Sequence, residues 1–493
     1  MSARGRLGRW WTGRSPQEGG TGHGRYALVQ ATQGARPAEW ALPGRARRVS
    51  GARGREGDKD EALRLDTDPY LERYAARVQG MSASEIRALF SVASRPEIVS
   101  FAGGMPDTAS LDLEAVEHLA AQLLREEGAT ALQYGAGQGR LELRELLVGV
   151  MAHEGVPAHA DDLVVTVGGQ QALELIAKCF VDAGDVVVAE GPTYVGGIGA
   201  LSSHQADVRH VPMDDDGMRV DELEDLLVEL AGQGRRPKFV YTVPNHQNPA
   251  GVSMSVERRH RLAELAESHD LLILEDNPYG LLDFDGRTWP SLRELVPERV
   301  IYVGTMSKTF APGVRTGWVA APAPVRDKLV LLREAADLCP SSFTQMLLER
   351  WLTTQPWQEQ VKRFRAVYHE RAEVMLQGLE AEMPAGVHWT VPAGGFYIWL
   401  TVPAGIDTSD LLAKAINHRV AYVPGRGFYA DGSGGDQMRL CFSYPPVERI
   451  REGIVRLGEL LHTEVELVQA VYGENVPTAR RRTRDEPGPQ FGG

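Results

Sequence analysis

The stretch "VIYVGTMSKTFAPGVRTGWVAAP", residues 300–322, holds two apolar runs suited to β-strands, 300–306 and 317–322, joined by a polar turn. The turn carries a lysine between hydroxyl residues, Ser307-Lys308-Thr309, and a second cation, Arg315. On a surface turn both charges are simply solvated, the common fate of a lysine. Shielded from water and set beside other cations, a lysine instead becomes a nucleophilic amine able to form a Schiff base. The rest of the chain decides between the two readings.

Working outward, short β-branched runs recur at 162–168, 185–191, 206–213, 238–244 and 271–277, giving seven strand candidates in all. Several are continuously apolar, as strands covered on both faces are. Helix-length amphipathic segments such as "GQQALELIAKCF", "VDELEDLLVEL" and "SVERRHRLAELAESH" lie between them. The alternation predicts an α/β fold with a mainly parallel sheet between helices, and such sheets bind ligands at the carboxyl ends of their strands. From about 325 the pattern changes to long helical segments reaching Glu382, then to the strand candidates "VHWTVPAGGFYIWLTVP" and "MRLCFSYPP", and to a closing helix "PVERIREGIVRLGELLHTEV". The expected division is a disordered Arg/Gly-rich leader over 1–69 and an N-terminal segment over 70–115 that joins the smaller unit. A large domain over 116–365, a small α+β domain over 366–475 and a disordered tail over 476–493 follow.

The chain has 493 residues, 43% hydrophobic and 24% charged, with a net charge of -13. That balance argues against a general binder of nucleic acid or of anionic membranes. Residues 1–60 hold twelve Lys/Arg against five Asp/Glu, a local +7 that leaves -20 on the remainder. This leader lacks the apolar core of a secretory signal, and its glycines would spoil the helix of a mitochondrial presequence. We expect it to be a disordered tail or a stretch translated from an upstream start. The three cysteines, Cys179, Cys339 and Cys441, are spaced neither as a disulfide framework nor as a zinc site. A reducing cytoplasm and no bound metal are therefore expected. No apolar run approaches the ~20 residues of a membrane helix.

Besides the candidate before Lys308, four others are followed by something suggestive. After the first come Gly168 and Gly169 and a helix opening with Gln170, whose bare amides suit a phosphate, although such a glycine pair is commonly just a tight turn. After the second, Tyr194 is placed to lie over a planar ligand, or is a rim residue. After the fourth, Asn248 precedes Pro249 in what is either a constrained hydrogen-bonding position or an ordinary turn. After the fifth, "EDNPY" sets Asp276 and Tyr279 at the mouth of the sheet, or forms a surface acidic turn. Singly these decide nothing. Together they converge on one pocket that suits an aromatic aldehyde bearing a phosphate, a phenolate and a ring nitrogen, which is pyridoxal 5'-phosphate (PLP).

The order "GGQQ", "PTY", "NPAG", "EDNPY", "SK", "R" over 168–315, followed by "MRLCFSYPP", resembles the class I/II PLP-dependent aminotransferases of fold type I. It is most similar to the branch of 2-aminoadipate, kynurenine/aminoadipate and multi-substrate aminotransferases. The resemblance covers about residues 70–470 and implies a large domain with a mainly parallel seven-stranded sheet plus a smaller α+β domain. It also implies a homodimer and a ping-pong exchange of an amino group between an L-amino acid and a 2-oxo acid, with 2-oxoglutarate the expected acceptor. Lys308 matches the Schiff-base lysine that carries a proton between Cα and C4′, and Asp276 the acid that keeps the ring nitrogen protonated. Asn248 and Tyr279 match the pair bonded to the phenolic oxygen, and Tyr194 the ring stacked on the cofactor. Gly169, Gln170, Thr305, Ser307 and Arg315 match the phosphate cup, and Tyr134 a residue reaching the phosphate of the neighbouring subunit. Arg439 matches the grip on the substrate α-carboxylate, assisted by Asn248, while Gly103 and Gly104 match a segment that closes over the substrate. The sequence departs from the usual pattern at Ala250, Asn277 and Gly169. Two alternatives are weighed: a PLP-binding transcription regulator, disfavoured because 1–70 is too short and glycine-rich for a winged helix, and a PLP lyase, decarboxylase or oxidase using the same residues.

Overall fold

The computed structural model describes Tyr70, residues 73–79 and residues 95–472. The expected leader and tail lie outside the described residues, as do residues 81–94.

The first strand, β1 (Val99–Ser100), precedes the large sheet, which is built from β2 (Leu163–Thr166), β3 (Val186–Gly191), β4 (Asp207–Asp214), β5 (Gly217–Met218), β6 (Val240–Thr242), β7 (Ile273–Asp276), β8 (Val300–Thr305) and β9 (Gly317–Ala320). Their order across the sheet is β2-β9-β8-β7-β6-β3-β4-β5. All seven expected strands form. The eighth, β5, turns back antiparallel on β4, pairing Met213 with Met218. Gly217 makes that reversal possible with φ +88, and a Cβ there would lie 2.8 Å from Met254 Cα. A two-residue strand is too short to show any alternation, so the expectation of seven strands missed it.

The neighbours β4, β3, β6, β7 and β8 pair in parallel, whereas β9 runs antiparallel to both β8 and β2. Val187, Val188 and Ala189 of β3, Ile273 of β7 and Val300 to Val303 of β8 are fully buried or nearly so, as expected of strands with helices on both faces. Each such Val or Ile contributes roughly 1.5–3 kcal/mol by leaving water. This pairing has a direct consequence for the site. The carboxyl ends of β2, β3, β6, β7 and β8 share one edge of the sheet, and β9, being reversed, brings its beginning to that edge. Arg315, just ahead of β9, therefore joins residues that follow the other strands.

After the helices Ala323–Asp337, Ser342–Thr354 and Trp357–Glu382, the remaining strands are β10 (His388–Trp389), β11 (Tyr397–Thr401), β12 (Val420–Ala421), β13 (Val423–Pro424) and β14 (Gln437–Cys441). They form an antiparallel sheet in the order β10-β11-β14-β13, while β12 pairs in parallel with β1. Beyond that pair the Phe101 amide bonds Ala421 O at 2.7 Å, and the Cys441 amide bonds Phe101 O at 2.9 Å. Residues 102–105 thus leave a strand next to β14, which carries Arg439. Among the described residues no helix is long and apolar enough to cross a membrane, and no group of three or more His, Cys, Asp or Glu could hold a metal ion.

Candidate active site

The acid pair that ends β7 is divided by strand alternation. Glu275 turns away from the cavity and accepts from the amides of Leu292 (3.1 Å) and Arg293 (2.9 Å), capping a neighbouring turn of helix. Asp276 faces the cavity, and its Oδ2 accepts from Tyr241 Oη at 2.9 Å. Tyr241 pairs with Leu274 in the parallel register, which puts it on the same face of the sheet as Asp276. Burial pushes the Asp276 carboxyl up to about 7; the Tyr241 phenol opposes the rise and Glu190 adds to it. A carboxylate held there calls for a cationic partner, and a protonated ring nitrogen is one.

Lys308 lies on the turn after β8, and its Nζ donates to Gly104 O at 2.7 Å. Burial, opposed by Cys441 and reinforced by Arg439 and Arg315, brings its amine down to about 8. An amine in that range has a neutral fraction near physiological pH, which a nucleophile or a base needs.

Beside it, Thr305 Oγ1 accepts from the Ser307 amide at 3.1 Å and lies 2.9 Å from Ser307 Oγ, which fixes both hydroxyls. Arg315 holds a left-handed backbone with φ 49, and its guanidinium donates to Pro312 O at 3.1 Å and Val167 O at 3.0 Å. It lies over Gly168, where φ is +75 and a Cβ would meet Arg315 Nη2 at 2.4 Å. The helix Gly168–Phe180 that starts there has Val167 at its N-cap and no side-chain cap among the described residues. Its leading amides have no helical carbonyl to bond, so they and the cations and hydroxyls beside them suit an anion. Gln170 is held nearby through Nε2 to Gly196 O at 2.8 Å, and Tyr194 Oη donates to its Oε1 at 3.4 Å.

On the facing side, Arg439 donates from Nη1 to Asn248 Oδ1 at 3.0 Å and from Nη2 to Ala102 O (3.1 Å) and Gly103 O (2.8 Å). Its guanidinium lies over the Tyr397 ring at 4.3 Å and the Phe428 ring at 5.2 Å. Its Nε is buried with no hydrogen-bond partner among the described residues. Because Asn248 Oδ1 is tied to Arg439, the Asn248 amide group is left to donate into the cavity.

These residues line a cavity of about 330 Å³ that holds every sequence-predicted site residue except Tyr134. Tyr134 is 78% exposed and stands outside it. An acid in need of a cation, an uncapped helix start under Arg315 and a lysine near neutrality fit PLP, through its ring nitrogen, phosphate and aldehyde respectively. Sequence reasoning missed Tyr241, Tyr397, Val243 and Pro278 around the site. It also missed the brace behind Asn248, where Glu190 accepts from Thr242 Oγ1 (2.5 Å), the Val243 amide (3.1 Å) and Gln247 Nε2 (3.0 Å). Tyr241 had a signal, since it lies in a strand run with the parity that faces the edge acid. The departure at Asn277 now has a structural reason. Its amide sits in a buried chain, accepting from Asn245 Nδ2 (2.9 Å) and donating to Tyr302 Oη (3.0 Å), which donates on to Glu154 (2.7 Å).

Fold and cavity together fit a PLP enzyme. Residues 96–457 match the family described as aminotransferase class I and II. The chain is 40% identical over 410 residues to aromatic-amino-acid aminotransferase 1 of Thermococcus litoralis, an alignment spanning 83% of this chain and 98% of that one. The crystal structure of a multiple substrate aminotransferase from Thermococcus profundus matches with a TM-score of 0.78 at 39% identity, over 81% of this chain and 100% of that one. An alpha-aminoadipate aminotransferase from Thermus thermophilus, complexed with N-(5'-phosphopyridoxyl)-L-leucine, matches with a TM-score of 0.75 at 35% identity, over 81% and 100%. The chain belongs to the class I and II aminotransferases, PLP-dependent enzymes that move an amino group from an amino acid to a 2-oxo acid.

Proposed function

We propose that in this aminotransferase Lys308 bonds the cofactor aldehyde at rest and moves the proton at Cα during the reaction, with 2-oxoglutarate as acceptor. When bound, PLP supplies an electron sink for the pair left at Cα. Asp276 holds the proton on the ring nitrogen, and Tyr241 steadies the Asp276 carboxylate. Asn248 and Tyr279 donate to the phenolic oxygen, and Tyr194 covers the ring. Gly169, Gln170, Thr305, Ser307 and Arg315 hold the phosphate, fixing where the aldehyde meets Lys308. Arg439 takes the substrate carboxylate through two parallel hydrogen bonds, which orients Cα–H toward Lys308, and Gly104 lines the path of closure.

The observation that carries this assignment is the convergence of Lys308, Asp276 and Arg439 on one cavity. Replacing Lys308 by Ala tests it: turnover and the visible absorbance of the lysine-bound cofactor should both vanish, and their survival would refute the assignment. Incubation with a panel of amino acids and 2-oxoglutarate should yield glutamate, whereas ammonia or peroxide without glutamate would point to another reaction at Cα.

The proposed assembly is a homodimer in which Tyr134 reaches the cofactor phosphate of the partner. Its 78% exposure, beside Leu132 at 74% and Leu338 at 60%, supports a covered face there. A large domain over 116–365 and a small one over 366–475 remain the proposed division, and the pairing of β1 with β12 supports assigning 70–115 to the small one. The cytoplasm is the proposed setting, supported by the free thiols Cys179, Cys339 and Cys441.

A further inference from the structure

Tyr397 opens β11 and is buried, at 2% exposure. It stands opposite Cys441 in the antiparallel register, and Trp399 stands opposite Arg439, so Tyr397 and Arg439 are diagonal neighbours on one face of the small sheet. The Tyr397 ring carries the Arg439 guanidinium at 4.3 Å, and its hydroxyl accepts from Tyr279 Oη at 3.3 Å, with the two rings edge to face at 88°. The same hydroxyl presses on the segment that passes over the cavity, since a Cβ on Gly104 would lie 2.5 Å from Tyr397 Oη. The backbone beneath is fixed too. Gly251, in the loop that carries Asn248, has φ +73 and would put a Cβ 2.3 Å from Tyr397 O. One side chain therefore touches the carboxylate-binding arginine, the phenol expected on the cofactor oxygen, and the segment expected to close.

We propose that Tyr397 is a positioning residue that links Tyr279 to Arg439, its hydroxyl setting the donor strength of Tyr279 and its ring setting the plane of the guanidinium. The inference rests on the proposed roles of Tyr279 and Arg439. Tyr279 donates its proton to Tyr397 in the structure. A phenolic oxygen bound beside Tyr279 would take that proton, and Tyr397 would then donate to Tyr279 in turn. A phenol that accepts a hydrogen bond is a better donor, so the relay strengthens the bond to the phenolic oxygen. The ionisable groups around the Tyr397 hydroxyl are Tyr279, Tyr194, Arg439 and Cys441, with Lys308 and Asp276 on the same cavity. Burial pushes Tyr397 itself up to about 12, so it keeps its proton as a donor through the neutral range.

Two variants separate the two jobs. Tyr397→Phe keeps the ring and removes the hydroxyl. The pH midpoint of the visible absorbance of the lysine-bound cofactor should rise by about half a unit to one unit, the scale of one modest hydrogen bond, with KM for the amino acid within about twofold of wild type. Tyr397→Leu also removes the platform, and KM should rise at least about tenfold on top of the spectral shift. A wild-type midpoint in Tyr397→Phe, or a wild-type KM in Tyr397→Leu, overturns the inference. Lys308→Ala serves as the control on the underlying reading. If it keeps the visible band, the site assignment itself fails; if it loses the band while Tyr397→Phe leaves the midpoint unmoved, only the role of Tyr397 falls.

Discussion

Replacing Tyr241 by Phe removes one oxygen and little else. The ring is fully buried and held in place, since even a Cβ on Gly197 would lie 2.6 Å from its Cε1. What is lost is the 2.9 Å donation to Asp276 Oδ2. A hydrogen bond to a charged group is worth about 1.5–3 kcal/mol, and one pH unit corresponds to about 1.36 kcal/mol, so the Asp276 carboxyl should rise by about one to two units. It already stands at about 7 because of burial, so in the variant it is protonated through the neutral range when no cation faces it. Facing the ring nitrogen, a carboxyl of higher proton affinity competes for the shared proton, and the weakened hold should lower kcat by about ten- to a hundredfold. The assay is nitrogen NMR of the enzyme loaded with ring-labelled PLP, followed across the neutral range alongside kcat. The ring nitrogen of the variant should lose its proton at lower pH than that of the wild type. Identical midpoints together with kcat within about twofold would refute the reasoning.

Arg439→Lys replaces a planar fork with a point charge and strips Asn248 Oδ1 of its donor at 3.0 Å. KM for both the amino acid and the 2-oxo acid should rise about ten- to a hundredfold in steady-state kinetics. Gly168→Ala forces a Cβ to 2.4 Å from Arg315 Nη2 at φ +75, so fluorescence titration of the cofactor-free protein should give PLP affinity weakened by about tenfold. His246 is fully buried, and burial lowers it from 6.5 to about 4, with Asp283 opposing the shift. Its folded value lies below its unfolded one, so protonation favours the unfolded chain, and stability should fall as pH drops from about 6.5 toward 4. Thermal melts of His246→Gln over that window should decline less steeply than those of the wild type.

The strands, their parallel sense and the edge that carries the site were legible because continuous apolar runs and the residues at their ends obey simple burial rules. Lys308 and Asp276 were legible for the same reason, each following a strand of one sheet. The side of Asp276 chosen over Glu275 follows from strand alternation, yet which parity faces the cavity is fixed only by the helices that cover the other face. Arg315 was placed by motif, and its geometric reason, the reversal of β9, needed the pairing order. Tyr397 was not legible at all. It belongs to the second sheet, and its contacts with Tyr279 and Gly104 depend on how that sheet meets the first. Tyr134 stands outside the cavity of its own chain, so its proposed role rests on the resemblance.

The central claim is that Lys308 is the residue that bonds the cofactor. Borohydride reduction of the PLP-loaded enzyme, followed by proteolysis and peptide mass spectrometry, addresses it directly. The account predicts a pyridoxyl-phosphate mass addition on the peptide containing Lys308 and its loss in Lys308→Ala. A label on another lysine, or an unlabelled Lys308 in active enzyme, would contradict it.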